Sequence, residues 1–557
     1  MSGRGLDLTD EGMYLNWMTT PWEWPWASTQ FAFIYHPLWM LFEQDLAAMR
    51  RASVLILLLT AVGFFAAVFR RAFGWGRGPA IGAGALLAPT VLLAVGSQSV
   101  FFTPSYNLLG MMGLLIAGAA LVGILVAPRE SGILASSWPW VLLGIGGVVC
   151  FASRPTAGAL LLVIVLLALP VAGAWSWRGL GMAAGTALAG VLLLALAIDG
   201  NPITFIERVL EGLNLYGIQT QRSAVDALVN TFTHEASWQK PDLIGGAVLA
   251  MLALVALLLR NHSLTAVAST GFALAAVWVA VSGETVLSSN VHRSAAVGGL
   301  LLLGAILPSL WARGDQRRGV LAAAAVLALL PFAYAFGTHY STVALAGSAA
   351  FCWLGGSLLA VGSNQFSKAH WPVVAGAWLL ATALCLNAAS GAVPRQEPLD
   401  VQDTVVSLGG HGAIGMSPDM ARYLGSVVEG AGQAGFQPGT PMLDLTGQSP
   451  GLIHHLQARP TADPWVIGRY PGSRDRASRQ LTAHTECEVI GASWLLISPD
   501  SSRLIPPAVV GDVGLRFPDD YQHVFTEVAP ERSEGFTLEL WRPLDSTDLT
   551  DRCAALR

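Results

Sequence analysis

Residues 52–69 read Ala-Ser-Val-Leu-Ile-Leu-Leu-Leu-Thr-Ala-Val-Gly-Phe-Phe-Ala-Ala-Val-Phe, an uncharged run between Arg50-Arg51 and Arg70-Arg71. A hydrocarbon layer of about 30 Å is crossed by about 20 mostly apolar helical residues, so this run is a candidate membrane span. Comparable runs follow near 79–97, 107–127, 137–153, 157–175, 178–198, 243–259, 264–282, 295–311, 319–336, 342–361 and 370–389, about twelve spans in all. The composition agrees. The chain is 53% hydrophobic and 12% charged over 557 residues, whereas soluble domains carry about a quarter charged residues. The reading is a polytopic α-helical membrane protein.

The apolar character stops near residue 390. Residues 390–557 hold 13 Arg, no Lys and 21 acidic residues, an acidic balance that gives no electrostatic reason to expect nucleic acid. Thr404–Leu408, Pro441–Leu445 and Ser493–Ser498 read as strands, and Ser417-Pro418 reads as a helix start. Alternating strands and helices predict an α/β domain. Three regions follow: an acidic loop with an interfacial helix (1–51), a multi-span region (52–389) and this terminal domain (390–557). Cys487 and Cys553 lie in the last region and can pair if it faces an oxidising compartment.

Loop charge sets the orientation. Arg70, Arg71, Arg77, Arg129, Arg178, Arg260, Arg313, Arg317, Arg318 and Lys368 fall in one set of short loops, and only Arg154 and Arg293 in the other. The positive-inside rule makes the first set cytoplasmic. Residues 1–51, the loops at 98–106, 154–156, 199–242, 283–294 and 337–341, and the terminal domain are then extracytoplasmic, in a plasma (inner) membrane. Arg50 and Arg51 count against this assignment. Residues 1–51 would lie outside with no helix before them, which favours a missing first span. Trp17, Trp22, Trp24, Trp26 and Trp39 suit a membrane interface, and 28–50 reads as one amphipathic helix lying on it. Ile206, Val209, Leu210 and Leu213, opposite Glu207, Arg208 and Glu211, predict a second.

Three carboxylates crowd the stretch Leu6-Asp7-Leu8-Thr9-Asp10-Glu11-Gly12-Met13-Tyr14. Near lipid, such groups are solvated, paired or functional. An adjacent pair can divide labour, one carboxylate taking a proton and the other orienting substrate or a divalent cation; an acidic segment exposed to water is the plainer reading. No His/Cys/carboxylate cluster has metal-ligand spacing. Two motifs in the terminal domain are set aside. Gly410-His411-Gly412-Ala413-Ile414-Gly415 matches a dinucleotide fingerprint, but Asp444 lies too far on and a glycine-rich strand-to-helix turn accounts for it. Gly447-Gln448-Ser449-Pro450-Gly451 matches a nucleophile elbow, but Pro450 has no N–H for the oxyanion hole; Ser449-Pro450 fits a helix N-cap.

Asp10-Glu11-Gly12-x-Tyr14 resembles the acidic motif of the GT-C-fold glycosyltransferases, the superfamily of protein O-mannosyltransferases and aminoarabinose transferases. Thr103-Pro104-Ser105-Tyr106-Asn107 falls in the next outside loop. Ser153-Arg154-Pro155-Thr156 is similar to that superfamily's basic-Pro-Thr corner, with Arg154 where Lys is more usual. The order of elements also fits over residues 5–390. The resemblance implies transfer of a sugar from a polyprenyl-phosphate carrier to a lipid, glycan or protein acceptor on the outer face, usually with inversion. It casts Asp10 as general base with Glu11 assisting, which of the two acts being left open. A leaving phosphate needs fixed cations: Arg154 and Arg293 first, then Arg222 and Lys240. Tyr14 and Tyr106 are candidate lining residues.

The alternative is a transporter or flippase with an extracytoplasmic accessory domain. Transporters place ionisable residues near the bilayer midplane, and these spans are almost free of charge. A scaffold acting through the terminal domain is the third reading. The orientation predicts that a cysteine introduced beside Asp10 is labelled by an impermeant thiol reagent in intact cells; protection there would reverse the topology.

Overall fold

The structure, a computed structural model, describes residues 2–96, 102–126, 133–221, 317–338, 345–363, 397–531 and 535–557. The spans expected near 243–259, 264–282, 295–311 and 370–389 lie outside the described residues.

The chain opens with α1 (Asp10–Thr19) and α2 (Phe31–Leu41), then the long α3 (Leu46–Phe73). Asp45 caps α3, its carboxylate accepting from the N–H groups of Ala47 (2.8 Å) and Ala48 (3.1 Å). Gly74 ends it at φ +66°, the left-handed C-terminal geometry that glycine supplies. There follow α4 (Arg77–Leu87), α5 (Pro89–Gly96), α6 (Tyr106–Leu125), α7 (Ile133–Ser153), α8 (Pro155–Val171), α9 (Trp177–Asp199), α10 (Pro202–Thr220), α11 (Arg317–Ala335) and α12 (Phe351–Ser363). By length and composition Leu46–Phe73, Tyr106–Leu125, Trp177–Asp199 and Arg318–Ala335 can each cross a membrane. Helix α6 packs on α3, α7 and α11, and α11 on α8 and α12, around a core that includes Phe64, Phe65, Leu115, Leu121 and Leu327. On the outside of the bundle Leu162, Leu167, Leu188 and Leu193 stand more than half exposed, a surface suited to lipid rather than water.

Four expectations need correction. The run 79–97 is broken between α4 and α5 at Pro89, which lacks the N–H a continuing helix uses. The segment 28–50 is two helices, because Glu43 (φ 52°) and Gln44 (φ 62°) turn the chain before Asp45 starts α3. Of the expected interfacial tryptophans, Trp24, Trp26 and Trp39 are buried inside the protein, and Trp22 is exposed. In α10 one charged position turns inward: Arg208 is buried in an ion pair with Asp199, while Glu207 stays exposed, Val209 is buried, and Ile203, Ile206 and Leu210 face outward.

The terminal region carries a hairpin, β1 (Thr404–Ser407) and β2 (Ala413–Met416), then α13 (Pro418–Gln433), β3 (Pro441–Asp444), α14 (Pro450–His455), β4 (Arg459–Pro460), α15 (Ser473–His484), α16 (Cys487–Gly491), β5 (Trp494–Ile497), β6 (Tyr521–Val528), β7 (Thr537–Pro543) and α17 (Ser546–Leu556). The larger sheet has order β4-β3-β5-β7-β6, parallel from β4 to β5 and antiparallel beyond. Every residue of β5 is buried, as expected of a strand covered on both faces. Cys487 and Cys553 form a disulfide, Cα–Cα 5.6 Å, that joins α16 to α17. The glycine run 409–412 joins two antiparallel strands, so it is a hairpin turn and not the expected strand-to-helix turn.

The N-terminal segment and the terminal region are built into each other. Gly3–Gly5 runs along β2, with Gly415 N–H donating to Gly3 O and Gly5 N–H to Gly415 O, both 2.8 Å. Leu6, Tyr14, Leu15, Met18, Phe31 and Trp39 share one core with Met420, Leu424, Leu452 and Ile453. At the crossing of α1 and α14 two backbones touch: a Cβ on Gly12 would lie 2.2 Å from Gly451 N. Gly451 N–H donates to Leu8 O at 2.7 Å, and Asn16 Nδ2 donates to Pro450 O at 2.9 Å. Gly12→Ala is expected to loosen this docking by about 1–3 kcal/mol, the range for overpacking. It should read out as faster proteolysis of the terminal region in detergent-solubilised protein; unchanged cleavage would count against the contact.

Candidate active site

Asp10 and Glu11 open α1, where helix N-termini favour carboxylates, but adjacent helical residues point about 100° apart. Glu11 points inward and is fully buried. Its Oε1 accepts from Arg50 Nε (2.9 Å) and from Arg50 NH2 and Thr103 Oγ1, and its Oε2 accepts from Asp7 N–H (3.0 Å). Arg50 is equally enclosed: it also donates to Ser2 O (3.1 Å), Arg4 O (3.0 Å) and Gly5 O (2.8 Å). The expected pair of cooperating carboxylates is therefore divided. Glu11 fastens the loop 2–11 to the start of α3. Arg50, which loop charge had counted as an anomaly, is its buried partner.

Asp10 is half-buried and shares a face of α1 with Tyr14, one turn on. The Tyr14 phenol is raised well above its ordinary value, first by burial, then by the nearby Tyr106 phenol and the charge of Asp10, while Arg154 lowers it. Asp10 and Arg154 thus both act on Tyr14. The rings of Tyr14 and Tyr106 meet edge to face at 5.7 Å, and Phe31 closes on both.

Arg154 sits at the N-cap of α8, where Pro155 takes the first helical position. Its guanidinium lies 4.8 Å from the centroid of the Tyr106 ring and 5.2 Å from that of Tyr334, positions that favour a cation. It donates to Tyr334 O (2.7 Å) and to Asn107 Oδ1. Asn107, in the first turn of α6, also accepts from Tyr334 Oη (3.4 Å) and donates to Tyr14 Oη (3.5 Å). The N-terminal turns of α6 and α8 therefore meet beside α1.

Among the described residues three arginines are buried: Arg50, Arg154 and Arg208. Arg50 is paired with Glu11 and Arg208 with Asp199; Arg154 makes hydrogen bonds to neutral acceptors only. Among the described residues the Arg154 guanidinium is thus held by a carbonyl and an amide oxygen rather than by a carboxylate.

Of the sequence-predicted residues, Asp10, Tyr14, Tyr106 and Arg154 come together, and Glu11 turns away from them. Arg222, Lys240 and Arg293 lie outside the described residues. Asn107 and Tyr334 were missed. Asn107 stood in the Thr103–Asn107 loop with nothing to distinguish it, and Tyr334 is the polar tip of an apolar run. Among the described residues no three His, Cys, Asp or Glu side chains gather as metal ligands would.

In the set-aside elbow motif, Asp444 accepts from the N–H groups of Thr446 and Ser449, both 2.9 Å, and burial pushes its carboxyl up to about 6. Ser449 Oγ accepts from Thr446 Oγ1 at 2.9 Å and makes no cap bond. The motif builds the turn that presents Gly451 to α1.

No family model and no curated protein matches the chain. Among solved structures it is similar to ArnT from Cupriavidus metallidurans bound to undecaprenyl phosphate, at 12% sequence identity and TM-score 0.42, covering 97% of this chain and 94% of that one. It is also similar to the apo state of the same protein, at 14% identity and TM-score 0.38, covering 96% and 93%.

Removing one partner of a buried ion pair costs about 3–5 kcal/mol. Arg50→Gln and Glu11→Leu should each lower the unfolding temperature in detergent, and the double variant Arg50→Met/Glu11→Leu should recover part of the loss. Single variants as stable as the unsubstituted protein would show the pair to be dispensable.

Proposed function

We propose that this protein is a membrane glycosyltransferase that moves a sugar from a polyprenyl-phosphate carrier to an acceptor on the extracytoplasmic face. The observation that carries this reading is the buried Arg154 cation, held by neutral groups beside the half-buried carboxylate of Asp10. A transferase of this kind needs a base for the acceptor hydroxyl and a fixed cation where the leaving phosphate gains charge. Asp10 and Arg154, whose charges both reach Tyr14, supply the two.

In the proposed reaction Asp10 takes the proton of the acceptor hydroxyl as its oxygen attacks the anomeric carbon. The bond from that carbon to the phosphate oxygen breaks, and polyprenyl phosphate leaves with the electron pair. Arg154 and the positive ends of α6 and α8 stabilise the charge that develops there. A single displacement inverts the anomeric centre. Glu11 acts as a positioning residue through Arg50. The Cys487–Cys553 disulfide supports an oxidising side for the terminal region, and with it for the loop packed against that region. A transport pathway would want ionisable groups near mid-membrane. In the four long apolar helices the charged residues lie towards the helix ends.

The test uses purified protein in detergent with a polyprenyl-phosphate-linked sugar as donor. Asp10→Asn is expected to lower kcat by about 10²–10⁴, the range for a general base, with carrier binding kept. Arg154→Gln is expected to weaken carrier binding and transfer by about 10²–10³, the scale for losing a charge-stabilising donor. Full activity in both variants would overturn the reading.

A further inference from the structure

We propose that Asn107 is a positioning residue whose neutrality keeps the Arg154 cation available to the phosphate of the carrier. The inference rests on the functional reading above and assigns a role to a side chain that neither touches the reacting atoms nor carries charge.

The three buried arginines supply the comparison. At Arg50 and Arg208 one guanidinium nitrogen donates to a carboxylate oxygen, of Glu11 and Asp199 respectively. At Arg154 the corresponding nitrogen donates to Oδ1 of Asn107. An amide oxygen holds the guanidinium in place as a carboxylate oxygen would, because an arginine only donates and Oδ1 accepts. It adds no charge of its own, where a carboxylate at the same place would add a negative one and offset the arginine. Aspartate has the shape of asparagine, so the difference at position 107 is one of charge and of one donor.

That donor matters as well. Nδ2 of Asn107 reaches Tyr14 Oη at 3.5 Å, and an aspartate has no proton to offer there. Asn107 therefore joins the anion-binding side of the site to the helix that carries Asp10. Its Oδ1 takes Arg154 and the Tyr334 hydroxyl (3.4 Å), and its amide nitrogen takes Tyr14. With one bond to Asn107 and one to Tyr334 O, and with the Tyr106 and Tyr334 rings beside it, the guanidinium is fixed. It retains N–H groups that these two bonds do not use.

The experiment measures binding of undecaprenyl phosphate to the full-length protein in detergent, with the uncharged alcohol undecaprenol as control, together with kcat and KM for the sugar donor. Asn107→Asp should weaken undecaprenyl phosphate binding and raise donor KM by about tenfold or more, the scale expected when a charge partner is changed at a desolvated site. Undecaprenol binding and the unfolding temperature should stay within error. Asn107→Ser, neutral and still an acceptor, should bind undecaprenyl phosphate within about threefold of the unsubstituted protein. Asn107→Leu, neutral but with no acceptor, should lose kcat through a displaced Arg154. Equal binding by Asn107→Asp and the unsubstituted protein would overturn the charge argument. Unchanged kcat in Asn107→Leu would overturn the positioning argument, and does so even if Asn107→Asp fails to fold. Arg154→Gln separates the two levels. If it binds undecaprenyl phosphate normally, the functional reading itself fails; if it loses binding while both Asn107→Asp and Asn107→Leu behave normally, only the role of Asn107 fails.

Discussion

The ion pair between Arg50 and Glu11 is the constraint on which the rest of the site depends. Arg50 stands in the first turn of α3, a helix long enough to cross the membrane, and its guanidinium receives Glu11 and the carbonyls of Ser2, Arg4 and Gly5. That one side chain ties the loop before α1 to the bundle. The same residues 3–5 lie along β2, so the tie extends into the terminal region. A buried pair is weak evidence for net stability, since two apolar side chains of similar volume often do as well. What it supplies here is geometry: with Glu11 held inward, the helix turns Asp10 to the other side, next to Tyr14.

The three buried arginines show how one residue type serves opposite ends. Paired with a carboxylate, as at Arg50 and Arg208, the guanidinium is a planar fastener with its charge cancelled. Held by an amide and a carbonyl, as at Arg154, it keeps its charge. The distinction lies in the partners and not in the arginines, which is why counting basic residues in loops could find Arg154 but could not rank it above Arg50.

Much of the architecture was legible because lipid imposes a strong, local rule: a span must be apolar over its whole length, so Leu46–Phe73 and Tyr106–Leu125 announce themselves. Strands and caps in the terminal region were legible for a similar reason, since Ser417-Pro418 and the run 494–497 carry their signals within a few residues. The failures share the opposite property. Arg50 reads as a topological anomaly until Glu11, 39 residues away, is placed beside it. The tryptophans of the first segment read as interfacial because nothing local shows that Leu215 of α10 packs with Trp24 and Trp26, or that the terminal region packs on Trp39. Gly447–Gly451 resembled a catalytic elbow because glycines serve close backbone approach in both settings; Pro450 argues against it locally, and the position of Gly12 shows what the close approach serves. At the candidate site, Asp10, Tyr14, Tyr106 and Arg154 were legible as residues that could meet, whereas Asn107 and Tyr334 join them through contacts made between separate helices.

The touching backbones of Gly12 and Gly451 have a consequence for how the protein is made. Gly451 leaves the ribosome long after Gly12, with helices α2 to α12 made in between. Until then α1 lacks the surface it rests on, and Asp10 has no fixed direction. The docking of α1 is completed only when Gly451 is in place.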